Sequence, residues 1–185
     1  MNDILQFLHH RNSSPKLTEP GPSEAELAEM IRAGVRAPDH AWLRPWRFIA
    51  LAGERRCAFG EVLERALVTR DPLADDAARD KARAAPLRAP LMLVAVARIS
   101  DHPKVPAVEQ RLSAGCAAHA VLLAAEALGY AGIWRTGAPA FDRAVMDALR
   151  LAATEEIIGF LYIGSRDGRV KPLPQLEPAD YISHW

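Results

Sequence analysis

Arg36-Ala37-Pro38-Asp39-His40-Ala41-Trp42-Leu43-Arg44-Pro45-Trp46-Arg47-Phe48 is the stretch on which the reading of this chain turns. Leu27, Met30, Ile31 and Gly34 precede it at helical spacing. Ser23-Glu24-Ala25-Glu26 opens that helix as a capping box, hydroxyl first and carboxylate three residues later, each serving unpaired backbone donors. Pro38 closes the helix, and Phe48-Ile49-Ala50-Leu51 follows as a short strand ending at Gly53. The quoted stretch is therefore a helix-to-strand turn, yet it carries cations, a histidine and two indoles that an ordinary connection does not need. Loops on a rigid scaffold carry chemistry disproportionately, which makes Arg36 and His40 candidate ligand contacts. A plainer reading stays open, in which Pro38 and Pro45 set the turn while Trp42 and Trp46 fill core.

Working outward, Ile4, Leu5 and Leu8 mark an opening helix that runs into Arg11-Asn12-Ser13-Ser14-Pro15-Lys16. On the other side, a helix rich in Glu and Arg passes through Leu63 and Leu67. From residue 69 to 86 the pattern dissolves into Asp, Ala, Arg and Lys, expected to be solvent-exposed, as a helix or as a mobile stretch. Residues 90–97 form a continuous apolar run, as in a strand covered on both faces. His102-Pro103-Lys104-Val105-Pro106 reads as a substrate-side lid. Ser113 is expected to cap a long helix that ends near Gly129. That helix is nearly all small or apolar, so it is buried all round or lies against another subunit. A helix over 142–149 and a strand over 157–164 follow. Residues 165–185 are polar and proline-rich without periodicity, an extended tail laid across a partner. Residues 1–185 read as one domain, with no repeat and no linker.

Composition narrows the chemistry. The 23 basic and 23 acidic side chains cancel, so no global field favours nucleic acid or an anionic membrane, and any anion must be held locally. Cys57 and Cys116 make neither a disulfide framework nor a zinc spacing. With no signal-peptide pattern and no apolar run of membrane-spanning length, a cytoplasmic protein is expected. There is no GxGxxG or Walker loop, no GxSxG elbow and no HExxH, so no metal site is expected. His119 reads as a core histidine, and His9 and His10 as exposed. What remains is an organic cofactor held by scattered contacts. Arg11-Asn12-Ser13-Ser14 could clamp a phosphate through charge-assisted bonds, or be a solvated turn. In Gly132-Ile133-Trp134-Arg135-Thr136-Gly137, glycines that permit close backbone approach bracket a Trp and an Arg.

Taken in order, Arg11-Asn12-Ser13, Arg36-Ala37-Pro38-Asp39-His40, Arg44-Pro45-Trp46, Ser113-Ala114-Gly115, Gly132-Ile133-Trp134-Arg135-Thr136-Gly137 and Ile158-Gly159-Phe160-Leu161-Tyr162-Ile163-Gly164 resemble the nitroreductase family, and within it the small YdjA-like branch. The resemblance covers the chain from about Asp3 to about Gly164 and rests on joint order and spacing. It implies an α+β fold with a central, mostly antiparallel sheet flanked by helices, in an interlocked homodimer with an extended C-terminal arm. It also implies FMN at the subunit interface, NADH or NADPH as electron donor, and a nitroaromatic, quinone or similar acceptor. By motif position, Arg11, Asn12 and Ser13 would grip the ribityl phosphate. Arg36 and His40 would reach the FMN from the other subunit, and Trp134, Arg135 and Thr136 would line it near the flavin. Ala124, Ala125, Glu126, Ala127, Leu128 and Gly129 match the segment assigned to nicotinamide nucleotide binding. Hydride would pass from the nicotinamide to the flavin and then to the acceptor by ping-pong kinetics. The flavin would carry that chemistry, so no side chain is a catalytic candidate.

Charge agrees with this. A phosphate carries roughly two negative charges, and Arg11, Arg36 and Arg135 would answer it in a chain with no net charge. Trp42 and Arg44 stand where many family members have Asn and Gln; Trp42 cannot accept a side-chain hydrogen bond. Asp39 would orient Arg36 or His40. Two alternatives stand beside this reading: a flavoenzyme of the same fold with another acceptor, and a non-catalytic FMN-binding dimer.

Overall fold

Met92, Val94 and Val96 pack toward one layer, Leu91, Leu93 and Ala95 toward the other, and all six are buried. That alternation is what a strand covered on both faces requires. The computed structural model describes residues 2–185 and makes this run the central strand, β3 (Leu91–Arg98). β3 lies between β2 (Trp46–Ala52) and β5 (Glu155–Arg166), antiparallel to both. β4 (Ala131–Arg135) and the short β1 (Leu17–Thr18) also pair antiparallel with β5. The fold is α+β, as expected, and every strand-to-strand ladder in the sheet is antiparallel.

One face of the sheet carries α3 (Glu54–Arg70) and α6 (Arg143–Ala148), closing a core of Phe59, Leu63, Val145, Phe160 and Tyr162. The other carries α2 (Glu24–Gly34) and α5 (Ala107–Ala127), with Met30, Ala118, Val121 and Leu161. α2 and α5 come close because Gly34 has no side chain: a Cβ there would stand 2.7 Å from Val121 Cγ2 and 3.2 Å from the Ala117 carbonyl. The capping box forms as read, Ser23 Oγ accepting from Glu26 N–H and Glu26 accepting from Ser23 N–H at 2.8 Å. α1 (Asp3–His10) is capped by Asn2 and leaves both His9 and His10 exposed.

Three expectations change. α5 begins at Ala107 behind Pro106, so Ser113 sits inside the helix and caps nothing. The reason is Gln110, 1% exposed, whose amide donates to Ser100 O (2.8 Å) and Val105 O (3.0 Å) while its oxygen accepts from Ser100 N–H (2.9 Å). The same bonds pin the loop at residues 102–106, with Val105 buried, so this loop is an anchored turn and no free lid. His119 is exposed on α5 and is no core histidine; it shares the outer face with Cys116, Leu112 and Val108, spaced so that they lie on one side of the helix.

The polar segment after α3 takes the helical alternative and is mostly exposed: Asp75 accepts from Ala78 N–H and starts α4 (Asp76–Ala84). Arg79 and Arg83 both bond Glu64 of α3 at 3.0 and 2.8 Å, while Ala82 and Ala85 pack on the core. The hydrogen bond from Arg83, with Arg79 adding to it, holds the Glu64 carboxyl below its usual range.

At the start of β5, Glu155 is buried and takes a bidentate pair from Arg47 (2.6 and 2.7 Å) and a bond from Ala152 N–H. The tail beyond Arg166 is exposed throughout and extended, apart from one short turn at Pro178–Tyr181. No helix among the described residues is long and apolar enough to cross a membrane.

Candidate functional site

β4 is the element around which the predicted residues gather. It pairs with β5 along one edge. On the other edge Ser13 bridges to Gly132, and Ser14 N–H donates to the Gly132 carbonyl at 3.0 Å. Since Gly132 turns its backbone outward, strand alternation turns that of Trp134 outward too. No described residue bonds the outward N–H and C=O of Trp134. An unpaired sheet edge is a row of donors and acceptors waiting for a partner. Trp134–Thr136 lies two to four residues beyond Gly132, roughly 7–13 Å along the strand. The structure thus brings Arg11, Asn12 and Ser13 together with Trp134, Arg135 and Thr136 in one chain.

The side chains of this group divide between the layers. Trp134 turns under α5: a Cβ at Gly159 would lie 2.7 Å from its Cδ1, and one at Gly115 would lie 3.9 Å from its Cη2. Gly159 has to lack a side chain to accommodate this chain's own indole, whereas a Cβ at Gly115 would make only an ordinary contact. Arg135 turns the other way, toward α3 and α4, where its Nε is buried with no hydrogen-bond acceptor. Arg11 is half-buried at the end of α1 and has no carboxylate partner among the described residues. Asn12 Nδ2 donates to the Lys171 carbonyl at 2.7 Å, which draws the tail alongside this segment.

Arg36 and His40 lie elsewhere. His40 Nδ1 meets Glu109 Oε2 at 2.7 Å, in the first turn of α5. β4 starts just beyond the other end of that helix and runs back beneath it, so that the Trp134 ring faces Gly115, six residues or roughly 9 Å along the helix from Glu109. Arg36 lines a cavity of about 260 Å³ with Asp39, Trp42, Arg44 and Trp46. Asp39 accepts from the Arg44 N–H at 2.7 Å, so it shapes the loop instead of orienting Arg36 or His40. Ala41, Trp42 and Arg44 have φ of 58°, 57° and 48°, each costing about 1–2 kcal/mol in the left-handed region. That geometry leaves Trp42 79% exposed under the Arg44 guanidinium, 5.8 Å from the ring centroid, while Trp46 fills core at 8%. The plainer reading of the two indoles thus holds for one of them. Strain of this kind collects at functional sites.

Residues 124–129 form the end of α5. Gly129, with φ of 87°, closes a Schellman turn in which Tyr130 N–H reaches Ala125 O and Gly129 N–H reaches Glu126 O. Ala125 is fully buried, Ala124 half-buried, and Glu126 faces Arg166 at 3.9 Å, which leaves Ala127, Leu128 and Gly129 exposed. Sequence reasoning missed Glu109, because its partner His40 is 69 residues away and no local pattern links them. No cluster of three or more His, Cys, Asp or Glu among the described residues could hold a metal ion.

An antiparallel sheet between two helical layers, with an open edge strand flanked by arginines, defines a class, and comparison with known proteins identifies it. The nitroreductase family model matches residues 9–165, and the chain belongs to that family. It is 44% identical over 181 residues, 98% of this chain and 93% of the relative, to the Escherichia coli (strain K12) protein named "Putative NAD(P)H nitroreductase YdjA". A nitroreductase-like family protein from Bacillus cereus superposes with a TM-score of 0.84 at 17% identity, covering 100% of this chain and 97% of that one. A nitroreductase with bound FMN from Bacteroides fragilis gives 0.75 at 20% identity, each chain fully covered.

Proposed function

We propose that this protein is an FMN-dependent NAD(P)H oxidoreductase that acts as a homodimer, with a nitroaromatic, quinone or similar electron acceptor. The observation that carries the reading is the open edge of β4, running from the Arg11–Ser13 segment to an Arg135 whose buried Nε lacks an acceptor. An unmatched buried donor is costly, so an anionic ligand there would relieve it. Membership of the nitroreductase family and the 44% identity to YdjA support the same reading.

The residues present fit FMN. Arg11, with Asn12 and Ser13, would hold the phosphate, and the outward backbone of Trp134 with Thr136 would meet the ring edge. When bound, FMN would supply two-electron chemistry, accepting hydride from NADH or NADPH and returning it to the acceptor. Ala127, Leu128 and Gly129 are the part of the α5 terminus that a nicotinamide nucleotide could meet. Arg36 and His40, which no described contact joins to the Arg11–Ser13 and Trp134–Thr136 groups, would serve the site of the other subunit. His40 is held through Nδ1–H by Glu109; its Nε2 then accepts when the ring is neutral and donates when it is protonated. The exposed apolar face of α5, with Leu112 and Val108, and the extended tail, which starts at 167 because β5 takes up Ser165 and Arg166, would be covered by the partner. Residues 1–185 would act as one domain. The free, exposed Cys57 and Cys116 suit a reducing compartment such as the cytoplasm.

The test is a visible spectrum of the purified protein, repeated after adding FMN and desalting. A retained flavin spectrum, bleached by anaerobic NADH or NADPH, is expected; no retention after reconstitution would refute the reading.

A further inference from the structure

Between α3, α4 and the sheet lies a cavity of about 350 Å³ into which Arg135 points. Its walls are apolar, with Leu63, Met92 and Phe160 among them. Two further cations reach it: Lys81 from α4, and Arg88 from the turn at Ala85–Arg88. No carboxylate among the described residues lines it. The contrast with neighbouring positions is sharp. Arg79 and Arg83 of the same helix are both taken up by Glu64, whereas Lys81, Arg88 and Arg135 have no acidic partner among the described residues. Lys81 and Arg88 stand at the exposed rim, while Arg135 Nε is buried inside without an acceptor. A structure that spends its acidic residues so freely nearby leaves this group short of negative charge.

Tyr162 adds a donor. Its phenol is pushed up by burial, with Arg88 and Arg135 pulling the other way, so the hydroxyl keeps its proton at neutral pH. The volume is at the small end for ligand pockets, room for one ring system and too little for a dinucleotide. Apolar walls suit a flat ring, and cations gathered at one rim suit a charged edge.

We propose that this cavity binds a planar ring with negative charge along one edge, held by Lys81, Arg88 and Arg135. Which ring occupies it rests on the flavoprotein reading above; the site itself does not. Two sources share the chemistry. One is the pyrimidine edge of the flavin, where negative charge gathers on reduction. The other is an acceptor that itself carries an acid, such as a nitrobenzoate.

Binding of 4-nitrobenzoate and of neutral 4-nitrobenzamide to the dimer, stripped of flavin and loaded with it, separates these. Each is measured by calorimetry, on the natural chain and on Lys81→Gln/Arg88→Gln. Both positions are exposed, and circular dichroism confirms that the variant folds. The acid is expected to bind at least about tenfold more tightly than the amide, with the preference lost in the variant. If the flavin edge fills the cavity, the acid binds only the stripped protein, and the variant retains FMN at least about tenfold less well. If an acidic acceptor fills it, the acid also binds the loaded protein, and the variant raises KM for nitrobenzoate alone while FMN affinity stays unchanged. Equal binding of acid and amide in both forms would overturn the proposal, as would a variant that alters neither ligand nor flavin. A protein that never takes FMN yet prefers the acid would refute the flavoprotein reading and leave this site standing.

Discussion

Gly159→Ala tests whether the sheet interior and the β4 edge are mechanically one unit. Gly159 is buried on β5, and the added methyl would lie 2.7 Å from Trp134 Cδ1, 2.9 Å from Cε2 and closer still to Nε1. Ordinary carbon contacts need roughly 3.5–4.0 Å, so the indole must retreat by about 1 Å. Gly115 of α5, where even an added Cβ would stand 3.9 Å from the far rim, leaves room for part of that retreat, and the rest must come from β4. Overpacking of this kind costs about 1–3 kcal/mol. For a chain of this length, about 2 kcal/mol lowers Tm by roughly 4–8 °C. Because Trp134 belongs to β4, the displacement is passed to the free edge, and flavin retention should fall with Tm. Scanning calorimetry and flavin fluorescence after desalting read the two effects. Trp134→Leu removes the obstacle, so the double variant should recover about 1 kcal/mol relative to additivity. A Gly159→Ala protein with natural Tm and flavin content would refute the reasoning, as would strict additivity.

Two further substitutions probe separate contacts. Arg47→Met leaves Glu155 without its bidentate partner. The hydrogen bond from Arg47 is the largest cause that brings this carboxyl down to about 2 from the usual 4.5; that difference corresponds to about 3 kcal/mol at neutral pH. Because the folded value is depressed, the stabilisation is complete above pH 4.5 and lost as pH falls toward 2. Urea unfolding should show a gap of about 3 kcal/mol at pH 7 that closes through this window; a gap independent of pH would contradict the assignment. Glu109→Ala frees His40. With both side chains about half exposed, flavin affinity should fall only about 2- to 5-fold, and an unchanged Kd would remove Glu109 from the site.

How much the sequence disclosed depended on whether the cause was local. The Ser23–Glu26 capping box and the apolar run of β3 are local patterns, and both appear where they were expected. α4 was left open between a helix and a mobile stretch, because its core-facing stripe is only alanine (Ala78, Ala82, Ala85) and it is held partly by Arg79 and Arg83 reaching Glu64, 15 and 19 residues away. β4 was legible as a chemical cluster but not as a strand, since its ladder comes from β5 and its five residues include a glycine and an arginine. The start of α5 was misplaced because the anchor is the buried amide of Gln110 closing onto Ser100 and Val105, which no capping rule anticipates. Trp42 and Trp46 differ for a backbone reason: left-handed φ at Ala41 and Trp42 turns the first indole outward. Of the predicted site, the Arg11–Ser13 and Trp134–Thr136 groups meet within one chain, because Ser13 bridges to Gly132. No described hydrogen bond or shared cavity joins the Arg36 and His40 group to them, because His40 is tied to Glu109 of α5 and Arg36 lines a separate cavity.

That separation makes the central claim open to a direct test by complementation. Arg11→Ala damages the half of the site that a subunit supplies to itself; Arg36→Ala/His40→Ala damages the half supplied to its partner. Each variant homodimer should lose flavin on desalting. In a heterodimer of the two, isolated through different affinity tags, twofold symmetry puts both lesions in one site and leaves the other intact. Bound FMN should therefore return to one per heterodimer. A heterodimer as empty as its parents would place all these residues in a site within one chain and contradict the shared-interface account.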